Sequence, residues 1–353
     1  MTTLSSTPYD DVRKRLSPGL QSLRGFNGKY TDIVDYIIGI TYEIWEKKKI
    51  GLIHDYYTKD SVIHAPAADV IGAQAMVDNT VQQLSLFPDR RLFPEDIIWA
   101  GNDNDGFYSS HRIHSTAHHL GYSIYGQPTG KKLQYRVIAD CAIIDNQIFE
   151  EWLVRDNVSI LRQIGLNEHE FAAQLVSASP GKYSVKPKKS VKCKELPPSR
   201  KRGFDVEDFI KRTWHNAWNL RMFNSLSDGY LSTVRCHSSS GRELFGQDDV
   251  TQFAMDWLAC FPDGAMSFDH FCGLGNEKDG YRTSLRWTLN GTHTGYGIYG
   301  SPSGRPVNIL GITHAFVHDR KIIEEWTVFD ELTVLCQLYV PGKEQQETFR
   351  RFE

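Results

Sequence analysis

The chain repeats itself. Phe87-Pro88-Asp89, Gly121-Tyr122-Ser123-Ile124-Tyr125-Gly126, Pro128-Thr129-Gly130 and Glu150-Glu151-Trp152 recur as Phe261-Pro262-Asp263, Gly295-Tyr296-Gly297-Ile298-Tyr299-Gly300, Pro302-Ser303-Gly304 and Glu324-Glu325-Trp326. The offset is 174 residues at every landmark, and 29 of the 92 positions from Gly72/Gly246 to Gln163/Gln337 are identical. A repeat this long, with nothing inserted or lost, is a whole domain, far beyond the 20–50 residues or so of a solenoid unit. The chain is therefore two copies of one fold. It carries two similar sites, or one site and one relic.

Bulk properties narrow the class. Each copy is large enough to bury a core without disulfides or metal. A net charge of −3 gives no overall pull toward nucleic acid or anionic membrane, so neither is an expected partner. Six cysteines form no C-x-x-C pair and none aligns between the copies, which fits reduced thiols and a cytoplasmic setting. The first 15 residues lack the apolar core of a signal peptide, and no apolar run approaches a membrane span.

Patterning sets the order of elements. Residues 1–30 read as a polar arm that stays mobile or packs late. From Thr31, Ile33, Ile37, Ile40, Ile44 and Trp45 recur at helical spacing. A short helix near Tyr57, a strand at Ser61–His64 and a helix from Gly72 to Leu84 follow. The period then becomes two. Strands are predicted at Asp96–Ala100, Phe107–Ala117, Leu133–Ile144 and Ile148–Val158. The second copy repeats this and closes on a strand ending near Leu338. Helices first and consecutive strands afterwards predict an α+β fold: two tandem cone-shaped domains (31–167 and 204–340), each a curved antiparallel sheet wrapped over helices. Residues 168–203 form a basic linker, with nine Lys or Arg between Lys182 and Arg202, and 341–353 a charged tail.

These landmarks resemble the SnoaL-like polyketide cyclase family, within the nuclear-transport-factor-2-like fold. The resemblance rests on Phe261-Pro262-Asp263, Gly291-Thr292-His293-Thr294-Gly295, Pro302-Ser303-Gly304, Lys321-Ile322-Ile323-Glu324-Glu325-Trp326, Asp330 and Gln337-Leu338, with their counterparts in the first copy through Asp156 and Gln163. It implies a mostly apolar pocket at one end of each cone, where small hydrophobic substrates undergo proton transfer without metal or organic cofactor. It also implies pairing of the two sheets as an intramolecular pseudo-dimer, with a further homodimer left open. One departure matters. In the cyclases an Asp directly follows the Trp and acts as general acid and base. Here those positions are Leu153 and Thr327, so another group must move the proton.

The candidates are these. Asp140 and His314 occupy equivalent places on an apolar strand, where burial would shift their pKa values and suit them to proton transfer. His64 and His237 follow the short strand near the expected pocket mouth and complete the catalytic set. Trp45, Tyr57, Arg112, His119 and Glu151 in the first copy, and Trp218, Arg286, His293 and Glu325 in the second, are candidate substrate-binding groups. The plainer readings make His119 and His293 turn stabilisers and place Arg112 and Arg286 on the outer face of the sheet. His111, His114 and His118 do not suggest a metal site: on a strand, 111 and 114 face opposite ways, and 114 and 118 lie about 13 Å apart. The leading expectation is a cofactor-independent lyase, isomerase, cyclase or hydrolase acting on a small, largely apolar substrate. The alternative is a non-catalytic small-molecule binding protein or an interaction scaffold.

Overall fold

A computed structural model describes residues 8–186, 196–199 and 201–342. In the first half, α1 (Pro8–Leu16), α2 (Ile33–Thr41) and α3 (Ile53–Tyr56) precede β1 (Tyr57–His64), β2 (Val70–Ile71) and α4 (Ala73–Leu86). Then come β3 (Arg91–Asn102), β4 (Gly106–His118), β5 (Lys132–Ile144), β6 (Gln147–Arg155), α5 (Asn157–Ile164) and α6 (Glu168–Ala178). The second half runs α7 (Val206–Trp214), α8 (Asn224–Gly229), β7 (Tyr230–Ser238), β8 (Arg242–Phe245), α9 (Gly246–Cys260), β9 (Ala265–Asn276), β10 (Gly280–Thr292), β11 (Pro306–His318), β12 (Lys321–Phe329) and α10 (Glu331–Tyr339).

The two sheets have the same order, β2-β1-β6-β5-β4-β3 and β8-β7-β12-β11-β10-β9. They are mixed rather than wholly antiparallel. The chain leaves β1 through α4 and the meander before returning beside it, so β1–β6 and β7–β12 pair in parallel. Asp32 starts α2 by accepting the Asp35 amide at 2.9 Å, and the isoleucine stripe that follows is wholly buried. The predicted last strand of each copy proves too long. Asp156 and Asp330 act as N-caps, accepting the amides of Ser159 and Leu332 at 3.1 and 3.2 Å, and so turn the chain into α5 and α10.

Of the connecting segments, the arm takes the packed one of its two expected forms and the linker departs from expectation. The arm packs: Tyr9 and Leu16 are buried, and Phe26 stands edge-on to Tyr36 with ring centres 5.0 Å apart. The first part of the linker is the helix α6, whose Phe171, Ala172 and Val176 are buried in a cluster with Leu332, Leu335 and Cys336 of the other half. Residues 187–195 and 200 of the basic strip lie outside the described residues.

Each sheet is covered on one face by helices of its own half. On the other face the halves meet. Ile138 and Val154 pack with their equivalents Ile312 and Val328, and Ser110 bonds its own equivalent Ser284 at 2.8 Å. Arg112 stacks 3.6 Å above the ring centre of Trp326, and Arg286 lies 3.4 Å above Trp152. The two contacts interchange under the 174-residue offset, as in an isologous dimer interface. Among the described residues, no helix is long and apolar enough to cross a membrane.

Candidate active site

Strand parity decides which face each residue takes. On β6, Glu151, Leu153 and Arg155 point toward the helices and line a hollow, while Trp152 and Val154 point to the other half. On β5, Tyr135, Val137, Ala139 and Cys141 face the hollow. Asp140 therefore faces away from it.

This corrects the expected catalytic set. Asp140 is buried between the halves, where the Tyr108 hydroxyl donates to it and the Arg286 guanidinium lies 3.5 Å away. Burial pushes its pKa up to about 6 against the opposing pull of Arg286. His314 sits in the same interface, its Nε2 2.8 Å from the Ser110 hydroxyl, and burial together with nearby Arg112 holds it neutral. His64 and His237 are also on the outer face. His64 stacks on Trp152 (ring centres 5.2 Å apart) and pairs with Glu150 at 3.0 Å, while His237 stacks on Trp326 (5.6 Å) and pairs with Glu324 at 3.3 Å. None of the four reaches a hollow.

Four of the substrate-binding candidates also lie elsewhere. Arg112 and Arg286 are interface groups, as their stacking shows. Arg112 bonds Glu95 at 3.0 Å. His119 and His293 hold turns, with Nδ1 3.2 Å from Thr129 Oγ1 and from Ser303 Oγ respectively. Of the three clustered histidines, only His111 enters the hollow. His118 pairs with Asp89 at 2.6 Å, and His114 borders a polar groove between the halves.

Trp45, Tyr57 and Glu151 do line the first hollow, a cavity of about 160 Å³. Its walls are mostly apolar, including Ile37, Ile40, Leu92, Ile113 and Leu153. Glu151, only 4% exposed, accepts the Tyr57 hydroxyl at 2.8 Å. Burial drives its pKa up to about 7, although Tyr57 favours the charged form. His111 is buried as well, with Nε2 lacking a protein partner, and burial pushes it down to about 3. It is therefore a neutral imidazole at physiological pH. Register places Glu151 opposite Cys141, and His111 opposite Ala139 one strand further on. Their Cα atoms are thus about 12 Å apart, and both side chains point into the space between. At the far end of the same cavity stand Arg90, Tyr135, Arg155 and Gln83.

The second hollow is different. Trp218 and Glu325 line it, but only about 30 Å³ remains, roughly the share of one water molecule. Position for position, Asn79, Gln83, Arg90, His111, Tyr135 and Arg155 of the first half are Phe253, Trp257, Gly264, Leu285, Ile309 and Phe329 of the second. Polar groups around an open space are matched by three rings, two aliphatic side chains and a glycine, which leave little space. The Glu–Tyr pair survives as Glu325 and Tyr230, 2.5 Å apart. His111, Arg90, Tyr135, Arg155, Asn79 and Gln83 were absent from the sequence-based site. Their signal was the contrast between aligned copies, polar in one and apolar in the other.

A buried carboxyl that titrates near neutrality, set in an apolar cavity walled by a sheet and helices, is equipped for general acid–base work on a small molecule. The profile of the SnoaL-like polyketide cyclases matches residues 36–164 and again 209–338, well over half of the chain, and the protein belongs to that family. Solved structures match one half at a time. IdmH of Streptomyces antibioticus is 23% identical and covers 37% of this chain and 97% of its own, with a TM-score of 0.33. AclR of Streptomyces galilaeus gives 23%, 37%, 92% and 0.33. A SnoaL-like protein from Jannaschia sp. CCS1 gives 16%, 40%, 99% and 0.34. No curated protein matches the chain significantly. The family's acid position, taken here by Leu153 and Thr327, does face each hollow.

Proposed function

We propose that the first half is a cofactor-independent acid–base enzyme, a cyclase or isomerase, in which Glu151 carries the proton. The second half is then a filled relic of the same site. One observation carries this reading: only the first half keeps an open cavity around a buried carboxyl whose pKa lies at about 7. A base tuned near the working pH combines a large ionised fraction with useful basicity.

The chemistry follows from the groups present. Glu151 as carboxylate removes a proton from the carbon next to a substrate carbonyl. Tyr57 keeps one carboxylate oxygen fixed, leaving the other to face the cavity. Charge that develops on the carbonyl oxygen needs a donor, and His111 supplies one from its unpartnered Nε2 as the neutral Nε2–H tautomer. Glu151, now protonated, returns the proton to the alkoxide oxygen formed when the enolate carbon closes a ring onto a second carbonyl, or to the far carbon of the enolate when a double bond moves. Leu153 and the other apolar walls exclude water and so keep the carboxyl pKa high.

The retained pair of Glu325 and Tyr230 in the filled half favours a second reading, that Glu–Tyr is a structural element and the first hollow only binds. One experiment separates the two. Small ring-bearing ketones and β-keto esters are incubated with the protein in deuterated buffer, and loss of the α-proton signal is followed by NMR. Wild type and Glu325→Gln should exchange faster than buffer alone, and Glu151→Gln at the buffer rate. Buffer-rate exchange by the wild type across the panel, or undiminished exchange by Glu151→Gln, would overturn the enzyme reading.

A further inference from the structure

The far end of the first hollow holds more positive charge than the protein itself answers. Arg90 is 7% exposed, and its Nε has no hydrogen-bond partner. Arg155 donates to Gln83 at 3.2 Å, and its Nε is likewise unpartnered. Among the described residues neither guanidinium is ion-paired to a carboxylate within 4 Å, whereas Arg112, Arg136, Arg242, Arg282 and Arg286 all are. The buried Tyr135 hydroxyl lies beside Arg90, close enough to interact with its guanidinium. Burial, and after it the neighbouring Arg155 charge, disfavours the Arg90 cation, which Tyr135 and the more distant Glu46 only partly offset. Burying a cation with no carboxylate paired to it is unfavourable, and the second half has no cation here, with Gly264 and Phe329 at these positions.

We infer that Arg90, Arg155 and Tyr135 form an anion subsite, and that the ligand of this hollow is a small carboxylate with an apolar, ring-sized body. The arginines supply donors suited to a carboxylate, and the tyrosine adds one more. The body lies toward Leu153, Ile113 and Ile37. A cavity of about 160 Å³ fits it, since one of about 150 Å³ holds benzene. Glu151 and Arg155 are four residues apart on β6, about 13 Å between Cα atoms, so the acid group anchors one end while the other end meets Glu151. As a statement about substrate, the inference rests on the proton-transfer reading above; as a statement about binding, it needs no turnover.

The test is calorimetric and uses the full chain. Phenylacetate and its neutral isostere phenylacetamide are titrated into wild type, Arg90→Gln, Arg155→Gln and Glu151→Gln. The wild type should prefer phenylacetate by about 10- to 100-fold, the range of charge-assisted hydrogen bonds. Arg155→Gln and Arg90→Gln should each remove most of that preference and leave phenylacetamide binding in place. Glu151→Gln should retain it, so a failed exchange assay with an intact preference would sink the enzyme reading alone. Should Arg90→Gln not fold, Arg155→Gln and the wild-type comparison still decide. Equal affinity for the two probes, no binding of either, or an undiminished preference in Arg155→Gln would overturn the subsite.

Discussion

Replacing Glu151 with Gln should make the protein more stable at alkaline pH and leave it nearly unchanged in acid. In the folded protein the Glu151 carboxyl titrates at about 7, against an ordinary value of 4.5. Below 4.5 the group is protonated whether the chain is folded or not, and it contributes no pH dependence. Between 4.5 and about 7 the unfolded chain releases a proton that the folded one keeps, so stability falls as pH rises. Above about 7 the loss is complete. At about 1.4 kcal/mol per pH unit the gap is worth ~3 kcal/mol. Gln keeps the shape and still accepts the Tyr57 hydroxyl, but never charges.

The assay is urea unfolding of both proteins at pH 4.5 and pH 8.5. Asp140 titrates inside that window as well, with its pKa raised to about 6, so the wild-type slope alone is not diagnostic. The difference between the two proteins isolates Glu151. Glu151→Gln should gain ~3 kcal/mol over wild type at pH 8.5 and within about 1 kcal/mol of nothing at pH 4.5. Parallel pH profiles would show that the hollow admits enough water to keep this carboxyl ordinary. The proton-transfer reading would then lose its physical basis.

His111→Leu installs the residue of the filled half; it should hold stability within about 1 kcal/mol while slowing α-proton exchange by about 100-fold or more. Arg286→Ala should destabilise by about 3–5 kcal/mol at pH 8, because Asp140 is left charged and buried without its cation; the loss should shrink at pH 5, where that carboxyl holds its proton, and denaturation at the two pH values reads the difference. Trp257→Ala should open the second hollow at a cost of about 3–5 kcal/mol. Calorimetry should then find, relative to wild type, one further site that takes toluene with no preference for phenylacetate, since that half has no arginine at either anchoring position.

Much of the fold was legible because the repeat gave each pattern twice. The meander strands and the isoleucine helix stood out by period alone. The closing helices did not, because Val158, Ile160 and Leu161 continue the apolar run of β6, and the Asp156 cap is a single residue. The parallel pairing of β1 with β6 is long-range and leaves no local mark. Asp140 and His314 were misplaced for a related reason. β5 and β11 are buried on both faces, by helices and by the other half, so their apolar runs do not show which face bounds the hollow. The site itself was legible only as a difference. Arg155 against Phe329, or Gln83 against Trp257, says that one cavity is kept and the other closed.

The closed half still bears on the open one. An unfilled hollow forfeits dispersion contacts along its lining, and the first half keeps one of about 160 Å³ together with several unpartnered donors. The second half has Trp214, Trp218, Trp257 and Trp287 around its hollow, and its glutamate is fully engaged by Tyr230 and by Thr327 at 2.9 Å. It then braces β6 from behind. Trp152 lies between the His64 ring and the Arg286 guanidinium of the other half. Its chain neighbours Glu151 and Leu153 point the opposite way, into the cavity. Fixing Trp152 fixes the backbone that aims Glu151. On the proposed reading, the duplicated half holds the strand of Glu151 in place without taking part in the chemistry.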